Sequence, residues 1–365
     1  MTSSPPFRAE NIGSLLRPKE MKDAFRDFHQ GKITPQQFRA IQDQAILDAI
    51  KLQEEAGLQV ITDGEFRRGS WFFGFVQAVD GLTTRDALFD FHDATGSAAT
   101  FQGAYVEDKL RRTGGITTDE FSFVRAHTSR MPKVTMPAPS LVHFFRAPDA
   151  VAPSAYAHPD NMWPDLIRVY REELAALAEL GCTYVQLDEV PCAMLCDPAV
   201  RATVQKMGFD PQELVDRYVG AIDAVTASRP AGMTIGLHLC RGNYKGQWMA
   251  EGGYDWVAEK LFGADVDAFF LEYDTPRAGD FTPLRHVPEG KRVILGVVST
   301  KTPELEPLDA LKRRVAEASG YIPLDQLGVS AQCGFASSVG GNPLTIDDEK
   351  RKLASVVELA DAVWG

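Results

Sequence analysis

Short apolar runs alternate with longer amphipathic stretches along most of the 365 residues. The amphipathic stretches have apolar residues at helical spacing, and they cover residues 35–56, 164–180, 211–227, 308–319 and 346–363. The apolar runs have the length and composition of buried strands. They cover residues 9–12, 59–62, 133–136, 183–187, 234–238, 268–271, 293–296 and 328–331. This alternation predicts an α/β fold, and the eight runs predict a (β/α)8 TIM barrel.

The second and third predicted strands lie much farther apart than one crossover helix requires. Residues 68–130 fill this gap and are rich in Gly, Thr, Asp and Phe. We therefore predict an insertion at about 68–130, with a β-hairpin excursion that covers the barrel mouth. A helical pair at about 18–56 lies near the first crossover. Because the chain shows no internal repeat and no flexible linker, residues 1–365 are predicted to form a single domain.

Composition and charge exclude several classes of protein. The formal net charge is -12, and the Lys and Arg residues are dispersed, which argues against binding to nucleic acid or to an anionic membrane. No early apolar stretch resembles a signal peptide, and no apolar run approaches the roughly 20 residues that span a bilayer. Five cysteines, an odd number, indicate reduced thiols. We expect a cytoplasmic protein.

Polar residues with metal-binding side chains follow three of the apolar runs. His238 and Cys240 are two positions apart, so both would point to the same side of a continued strand. An isolated His-x-Cys is more often an interior cysteine beside a hydrogen-bonded histidine. Glu272 and Cys333 change this reading because they follow the next strand and the last one, and the carboxyl ends of barrel strands converge. These four residues predict a zinc site. The Cys192-x-x-x-Cys196 pair lacks a second ligand pair and is interpreted as buried packing.

The charge of this ligand set indicates the chemistry. Zinc with two thiolates, one carboxylate and a neutral imidazole carries a net charge of about -1. Such a site favours an electron-rich bound thiolate, whereas sites that activate water use neutral histidines. The sequence therefore predicts a zinc enzyme that alkylates a thiol.

The chain resembles the catalytic half of the cobalamin-independent methionine synthases. The resemblance extends over nearly the whole chain and rests on Asn11-Ile-Gly-Ser14, Asp63-Gly-Glu65, Gln186-Leu-Asp188-Glu189 and the four residues of the zinc site. It implies that zinc is bound by His238, Cys240, Glu272 and Cys333. It also implies homocysteine contacts at Ile12, Gly13, Ser14, Glu65 and Asp188, where the two carboxylates would hold the amino group. The alternative for these acids is a salt bridge with Arg67, Arg68 or Arg241. The expected reaction is methyl transfer to homocysteine to give methionine.

This chain departs from the longer family members on the side of the methyl donor. It has no room for their amino-terminal barrel, so the donor is left open between 5-methyltetrahydrofolate and another methyl compound. The family's histidine, proposed as a proton donor to the leaving group, is replaced by Lys301. Lys301 is therefore the candidate catalytic residue, with a surface or ion-paired lysine as the alternative. The aromatic run 71–75 suits a stacked pterin or an apolar alkyl donor, although it could also pack the insertion onto the barrel.

Three other functions remain open from the sequence alone. The chain also resembles coenzyme M alkyltransferases of the epoxide-opening type, whose thiol carries a sulfonate that Glu65 and Asp188 would repel. A metal-free decarboxylase or lyase of the related uroporphyrinogen decarboxylase barrels is a second alternative, and a non-catalytic protein that retains zinc is a third. The expected partners are a small-molecule thiol and a methyl donor.

Overall fold

The computed structural model describes residues 4–93, 95–96 and 98–365. Within these ranges the strands are β1 (Ala9–Glu10), β2 (Val60–Ile61), β3 (Val79–Asp86), β4 (Phe91–His92), β5 (Ala98–Ala99), β6 (Gln102–Arg112), β7 (Met131–Pro132), β8 (Val134–Pro137), β9 (Tyr184–Glu189), β10 (Thr234–Leu239), β11 (Ala268–Glu272), β12 (Arg292–Val298) and β13 (Leu327–Ala331). The α-helices are α1 (Lys19–His29), α2 (Pro35–Glu55), α3 (Phe73–Ala78), α4 (Thr118–His127), α5 (Leu141–Phe144), α6 (Trp163–Glu179), α7 (Pro191–Met194), α8 (Pro198–Lys206), α9 (Pro211–Thr226), α10 (Ala258–Phe262), α11 (Leu308–Ala318) and α12 (Ile346–Trp364).

The two longest helices, α2 and α12, begin at residues that satisfy free N–H groups of their first turns. The Thr34 side chain accepts a hydrogen bond from the Gln37 N–H, and the Thr34 N–H donates in return to the Gln37 side-chain oxygen. Pro35 occupies the first helical position of α2. Thr345 and Asp348 form the same reciprocal cap at α12. These local signals explain why the helical periodicity in the sequence predicts the starts of these helices closely.

A curled parallel sheet forms the centre of the molecule. Seven strands pair in the order β1, β13, β12, β11, β10, β9 and β8, and every pairing is parallel. Strand β2 pairs in parallel with β7, and only Lys133 separates β7 from β8. Strands β8 to β13 are almost entirely buried, as expected for a parallel sheet covered by helices. The predicted α/β class is confirmed, and the curled sheet is consistent with a TIM-like barrel.

Lys133, between β7 and β8, places its side chain inside the curled sheet. Its ammonium donates to Glu10 Oε2 at 3.2 Å and to Gln186 Oε1 at 2.9 Å. Both Lys133 and Glu10 are fully buried, so each charge needs the other. Burial lowers the pKa of Lys133, while Glu10 opposes that shift. Gln186 also donates to Asp188 Oδ1 at 2.8 Å, which connects this buried pair to the carboxyl ends of the strands.

The stretch predicted as an insertion contains both a hairpin and a helix. Strands β3 and β6 pair in antiparallel fashion, and helix α4 follows them. Phe121 and Val124 of α4 are buried in the core. The last part of the stretch therefore packs against the sheet instead of extending away from it. No helix in the described part of the chain is long and apolar enough to cross a membrane.

Candidate active site at the carboxyl ends of the strands

Three of the predicted metal ligands form a compact cluster. His238 lies on β10, the Cys240 N–H continues the pairing of that strand by donating to Glu189 O at 3.2 Å, and Cys333 follows β13. The ligand atoms of His238, Cys240 and Cys333 all lie within 4.8 Å of one another. The two sulfur atoms are 3.4 Å apart. The ends of two strands that are distant in sequence therefore supply one nitrogen and two sulfurs to a single point.

The donor atoms of this cluster fit a metal ion. Both ring nitrogens of His238 are buried and make no hydrogen bond to any described residue. An uncompensated buried polar group is costly, so a buried imidazole without a partner fits a ligand role. Cys240 and then His238 hold the pKa of the Cys333 thiol well below its ordinary value. A nitrogen and two sulfurs, one of them prone to ionise, are the donors that zinc prefers.

Glu272, the fourth predicted ligand, lies at the end of β11 but outside this cluster. Its Oε1 atom accepts a hydrogen bond from the Arg241 N–H at 2.9 Å. Its Oε2 atom is buried and has no hydrogen-bond partner among the described residues. Burial is the largest cause of a raised pKa for this carboxyl group. The structure thus places Glu272 close to the site without directing both oxygens at the cluster.

An open pocket of about 480 Å³ lies beside the cluster. Seven residues predicted from the sequence line it, namely Ile12, Ser14, Glu65, Asp188, His238, Cys240 and Cys333. The predicted substrate residues and the sulfur atoms therefore face the same space. A small molecule bound by the carboxyl groups would lie next to the cluster.

The loop that carries Glu65 is held in a strained conformation. Glu65 has φ of 60°, in the left-handed region that a residue with a side chain rarely adopts. Asp63 Oδ1 accepts from the Glu65 N–H at 2.9 Å. The buried Arg17 guanidinium donates to the carbonyl oxygens of Glu65 at 2.7 Å and Arg68 at 2.8 Å. Strain that is fixed by several contacts is typical of functional loops.

Glu65 and Asp188 present two buried carboxyl groups to the pocket. Thr135 Oγ1 donates to Glu65 Oε1 at 2.8 Å, and Glu65 Oε2 has no partner within the described residues. Burial raises the pKa of Glu65 to about 8 and that of Asp188 to about 6. Arg68, with a nitrogen 3.8 Å from Glu65 Oε1, opposes the shift at Glu65. A bound cation would favour ionisation of both carboxyl groups further. They are suited to an ammonium group.

The first loop fits tightly against Glu65. Gly13 has φ of 150°, and a Cβ atom there would lie 2.7 Å from Thr135 Cγ2 and 3.0 Å from Glu65 Oε1. Ser14 Oγ accepts from the Ala336 N–H at 3.3 Å, which connects the first loop to the loop after Cys333. Gly13 therefore contributes close backbone approach, and Ser14 joins two loops around the pocket.

Lys301 is buried but does not line the pocket. Only 8% of its surface is exposed, which excludes a surface lysine. Its ammonium donates to Gly242 O at 3.3 Å and to Asn243 Oδ1 at 3.1 Å. Gly242 and Asn243 do line the pocket, so Lys301 lies directly behind its wall.

Several pocket residues lie outside the set singled out from the sequence, namely Phe91, Val190, Gly242, Asn243, Met249, Gly334 and Ser337. Asn243 follows Cys240 by three positions, so its place after a strand end is a signal that could have identified it. Phe91 lies within the 68–130 stretch, and its own position carries no such signal.

An aromatic vestibule adjoins the pocket and has an open volume of about 880 Å³. We use this name for the cavity lined by Trp71, Phe72, Phe73, Phe91, Phe101, Phe145, Tyr244 and Met249, together with small and polar residues. Trp71, Phe91, Met249 and Ser337 line both cavities. None of the described lining residues of the vestibule is charged. The polar pocket thus opens into an apolar space suited to a flat or apolar compound.

The chain is similar to known proteins over most of its length. Residues 7–360 match the family described as the catalytic domain of cobalamin-independent synthase. YxjG of Bacillus subtilis is 38% identical over 366 residues, covering 99% of this chain and 95% of the relative. A methionine synthase of Pyrococcus abyssi is 26% identical, covering 89% of this chain and 85% of the relative. A crystal structure from Listeria monocytogenes, whose proposed identity is a vitamin-B12-independent methionine synthase, has a TM-score of 0.79 at 31% identity and covers 100% of both chains.

Proposed function

The chain belongs to the cobalamin-independent methionine synthase family of methyltransferases, and from this premise we propose that it is a zinc-dependent enzyme that methylates homocysteine to methionine. The observation that carries the proposal is the meeting of a His, Cys, Cys cluster with two buried carboxyl groups in one pocket. We further propose that residues 1–365 form one (β/α)8 barrel domain in which an insertion within 68–130 covers the mouth.

We propose His238, Cys240, Glu272 and Cys333 as the residues that hold zinc. A bound zinc ion would supply one kind of chemistry here, because it lowers the pKa of a coordinated thiol and so provides a thiolate at neutral pH. The unpartnered nitrogens of His238 support this assignment.

The carboxyl groups of Glu65 and Asp188 would bind the ammonium group of homocysteine. The loop of Ile12, Gly13 and Ser14 would fix the amino acid against them, since Gly13 lies against Glu65 and Ser14 lines the pocket. Holding the sulfur and the methyl group in line is worth about 7 to 11 kcal/mol in well-aligned cases. These acids also disfavour a thiol that bears a sulfonate, such as coenzyme M, because like charges would meet in a buried site.

The vestibule would receive the methyl donor. It adjoins the pocket and lacks charged lining residues in the described part of the chain, which supports a flat or apolar donor. The donor remains open between 5-methyltetrahydrofolate and another methyl compound. We propose Lys301 as the source of the proton for a basic leaving group, delivered from behind Gly242 and Asn243.

Zinc quantification combined with X-ray absorption tests this function. We expect about one zinc per chain and one additional sulfur in its shell after homocysteine is added. Competition between homocysteine and coenzyme M in the same experiment would identify the class of thiol. A metal-free protein, or a shell that homocysteine leaves unchanged, would contradict the proposal.

A further inference from the structure

Glu272 differs from the other predicted ligands in its surroundings. The three clustered residues have their ligand atoms within 4.8 Å of one another, and Glu272 is not part of that cluster. One carboxylate oxygen is held by the Arg241 N–H at 2.9 Å, while the other is buried without a hydrogen bond to any described residue. One oxygen is therefore fixed, and the other is available for more than one partner.

A buried arginine lies just beyond hydrogen-bonding distance of that oxygen. Arg277 follows β11 in a short 3-10 turn, and its side chain is 10% exposed. Its Nη2 atom is 3.8 Å from Glu272 Oε2 and 3.6 Å from Asp274 Oδ1. Its guanidinium stacks over the Trp248 ring, with the central carbon 4.7 Å from the ring centroid.

This cluster of Glu272, Asp274 and Arg277 is incompletely hydrogen-bonded. Three of its buried atoms have no hydrogen-bond partner within the described ranges, namely Arg277 Nε, Arg277 Nη2 and Asp274 Oδ1. Leaving such groups without a hydrogen bond is costly, and more so when they are charged. A shift of less than 1 Å would bring the Arg277 nitrogen within hydrogen-bonding distance of Glu272 Oε2. The cluster is therefore suited to a second position of the Glu272 carboxylate.

A second position matters because zinc usually binds four ligands. If Glu272 joined His238, Cys240 and Cys333 as a ligand, these four would fill that number, and an entering thiol would have to displace one of them. The carboxylate is the hardest, that is, the least polarisable, of the four ligands and competes least well with sulfur for zinc. A carboxylate released inside the protein is costly unless a cation receives it.

We propose that Arg277 is a positioning residue that receives the Glu272 carboxylate when the substrate thiol takes its place. If zinc were held by Glu272 and the three clustered residues, the entering thiol would lose its proton to solvent and replace the Glu272 oxygen as a ligand, and the released carboxylate would stay ionised against the Arg277 guanidinium. The inference rests on the proposed zinc site, and it assigns to Arg277 control over how readily that site accepts a thiol.

The test compares Arg277→Gln with Arg277→Lys, using Arg285→Gln as a control at an exposed arginine nearby. Zinc affinity is measured by chelator competition without thiol, and homocysteine affinity by titration of the zinc-loaded protein. In Arg277→Gln we expect zinc to bind at least as tightly as in the unaltered protein, because Glu272 loses its alternative partner. Homocysteine affinity should fall about tenfold, and Arg277→Lys should restore much of it.

The outcomes separate this inference from the proposed function. X-ray absorption of Arg277→Gln with homocysteine should retain the oxygen ligand that the unaltered protein loses. Parallel loss of zinc and homocysteine affinity would make Arg277 a structural residue only, and unchanged affinities would also overturn the inference. If the unaltered protein binds no zinc, the proposed function itself fails. If zinc and thiol exchange as described but no methyl donor is used, only the transfer reaction is contradicted.

Discussion

Two regions of the site are built from different parts of the chain. One is the aromatic vestibule, and the other is the thiol side, by which we mean the part of the pocket around Asp188, His238, Cys240 and Cys333. Asp188 and His238 lie on parallel strands, while Cys240 and Cys333 follow strand ends closely. The vestibule is lined largely by residues of the 68–130 stretch and of loops beyond the sheet. A sheet fixes the positions of strand-end side chains, whereas loops vary more readily. This difference suggests a fixed site for the thiol and a more adaptable site for the donor.

The largest effect is expected from Cys333→Ala on the thiol side. It removes a sulfur from the three-residue cluster, and loss of an outer partner of a metal ligand alone costs 10- to 100-fold. We expect activity to fall by more than about 1,000-fold and zinc content to fall with it. Cys182→Ala is the matched control, because that thiol is buried elsewhere and donates to Tyr184 O. Undiminished zinc in Cys333→Ala would refute the ligand assignment.

Lys301→Met tests the residue that lies behind Gly242 and Asn243 in the pocket wall. If Lys301 supplies the proton, kcat with a donor that leaves as a basic amine should fall by about 100-fold. Affinity for homocysteine should change little, because Lys301 does not line the pocket. The measurement is kcat as a function of pH with the thiol at saturation. An unchanged pH profile with lower thermal stability would limit Lys301 to holding Gly242 and Asn243.

Glu65→Gln should weaken thiol binding while leaving donor binding intact. Loss of one charged hydrogen bond predicts a rise of roughly 10- to 100-fold in KM for homocysteine. Burial raises the pKa of Glu65 to about 8, so at lower pH a bound ammonium must displace the proton of this carboxyl group. Homocysteine affinity in the unaltered protein should therefore decrease as pH falls from 8 to 6, and Glu65→Gln should remove this component.

A thiol of the same length without an amino group serves as the control for this pH series. Its binding should lack the component that depends on Glu65, because it brings no ammonium group. The same pH dependence for both thiols would show that Glu65 does not bind the amino group.

Phe91→Leu should give the smallest effect and should act on the donor. Phe91 lines both cavities, and loss of its ring contacts is worth about 1 kcal/mol, or roughly fivefold in the donor's KM. KM for homocysteine should change less than the donor's KM. Phe25→Leu is the control, since that ring packs against Phe38 in a separate cluster. Equal changes for both substrates would remove the distinction between the two regions.

The sequence predicts the thiol side better because strand ends can be identified from apolar periodicity. Cys240 and Cys333 could be placed together because parallel strands end at one edge. The displacement of Glu272 from the cluster depends on Arg241 and Arg277, whose approach is set by turns without a periodic pattern. The aromatic run singled out from the sequence supplies Trp71, Phe72 and Phe73 of the vestibule. Phe91 and Met249 join it only through tertiary packing of the hairpin region, so local sequence could not reveal the rest of the vestibule.

Arg17 has a consequence for the synthesis of this protein on the ribosome. Its guanidinium donates to the carbonyl oxygens of Glu65 and Arg68 and also to those of Ala336 and Ser338, each of the latter at 3.2 Å. The loop of Glu65 therefore shares its clamp with residues that are translated some 270 positions later. A nascent chain that ends before residue 336 lacks half of these contacts. The pocket lined by Glu65 is thus completed only when strand β13 and its loop have emerged, and shorter translation products should not compete for its ligand.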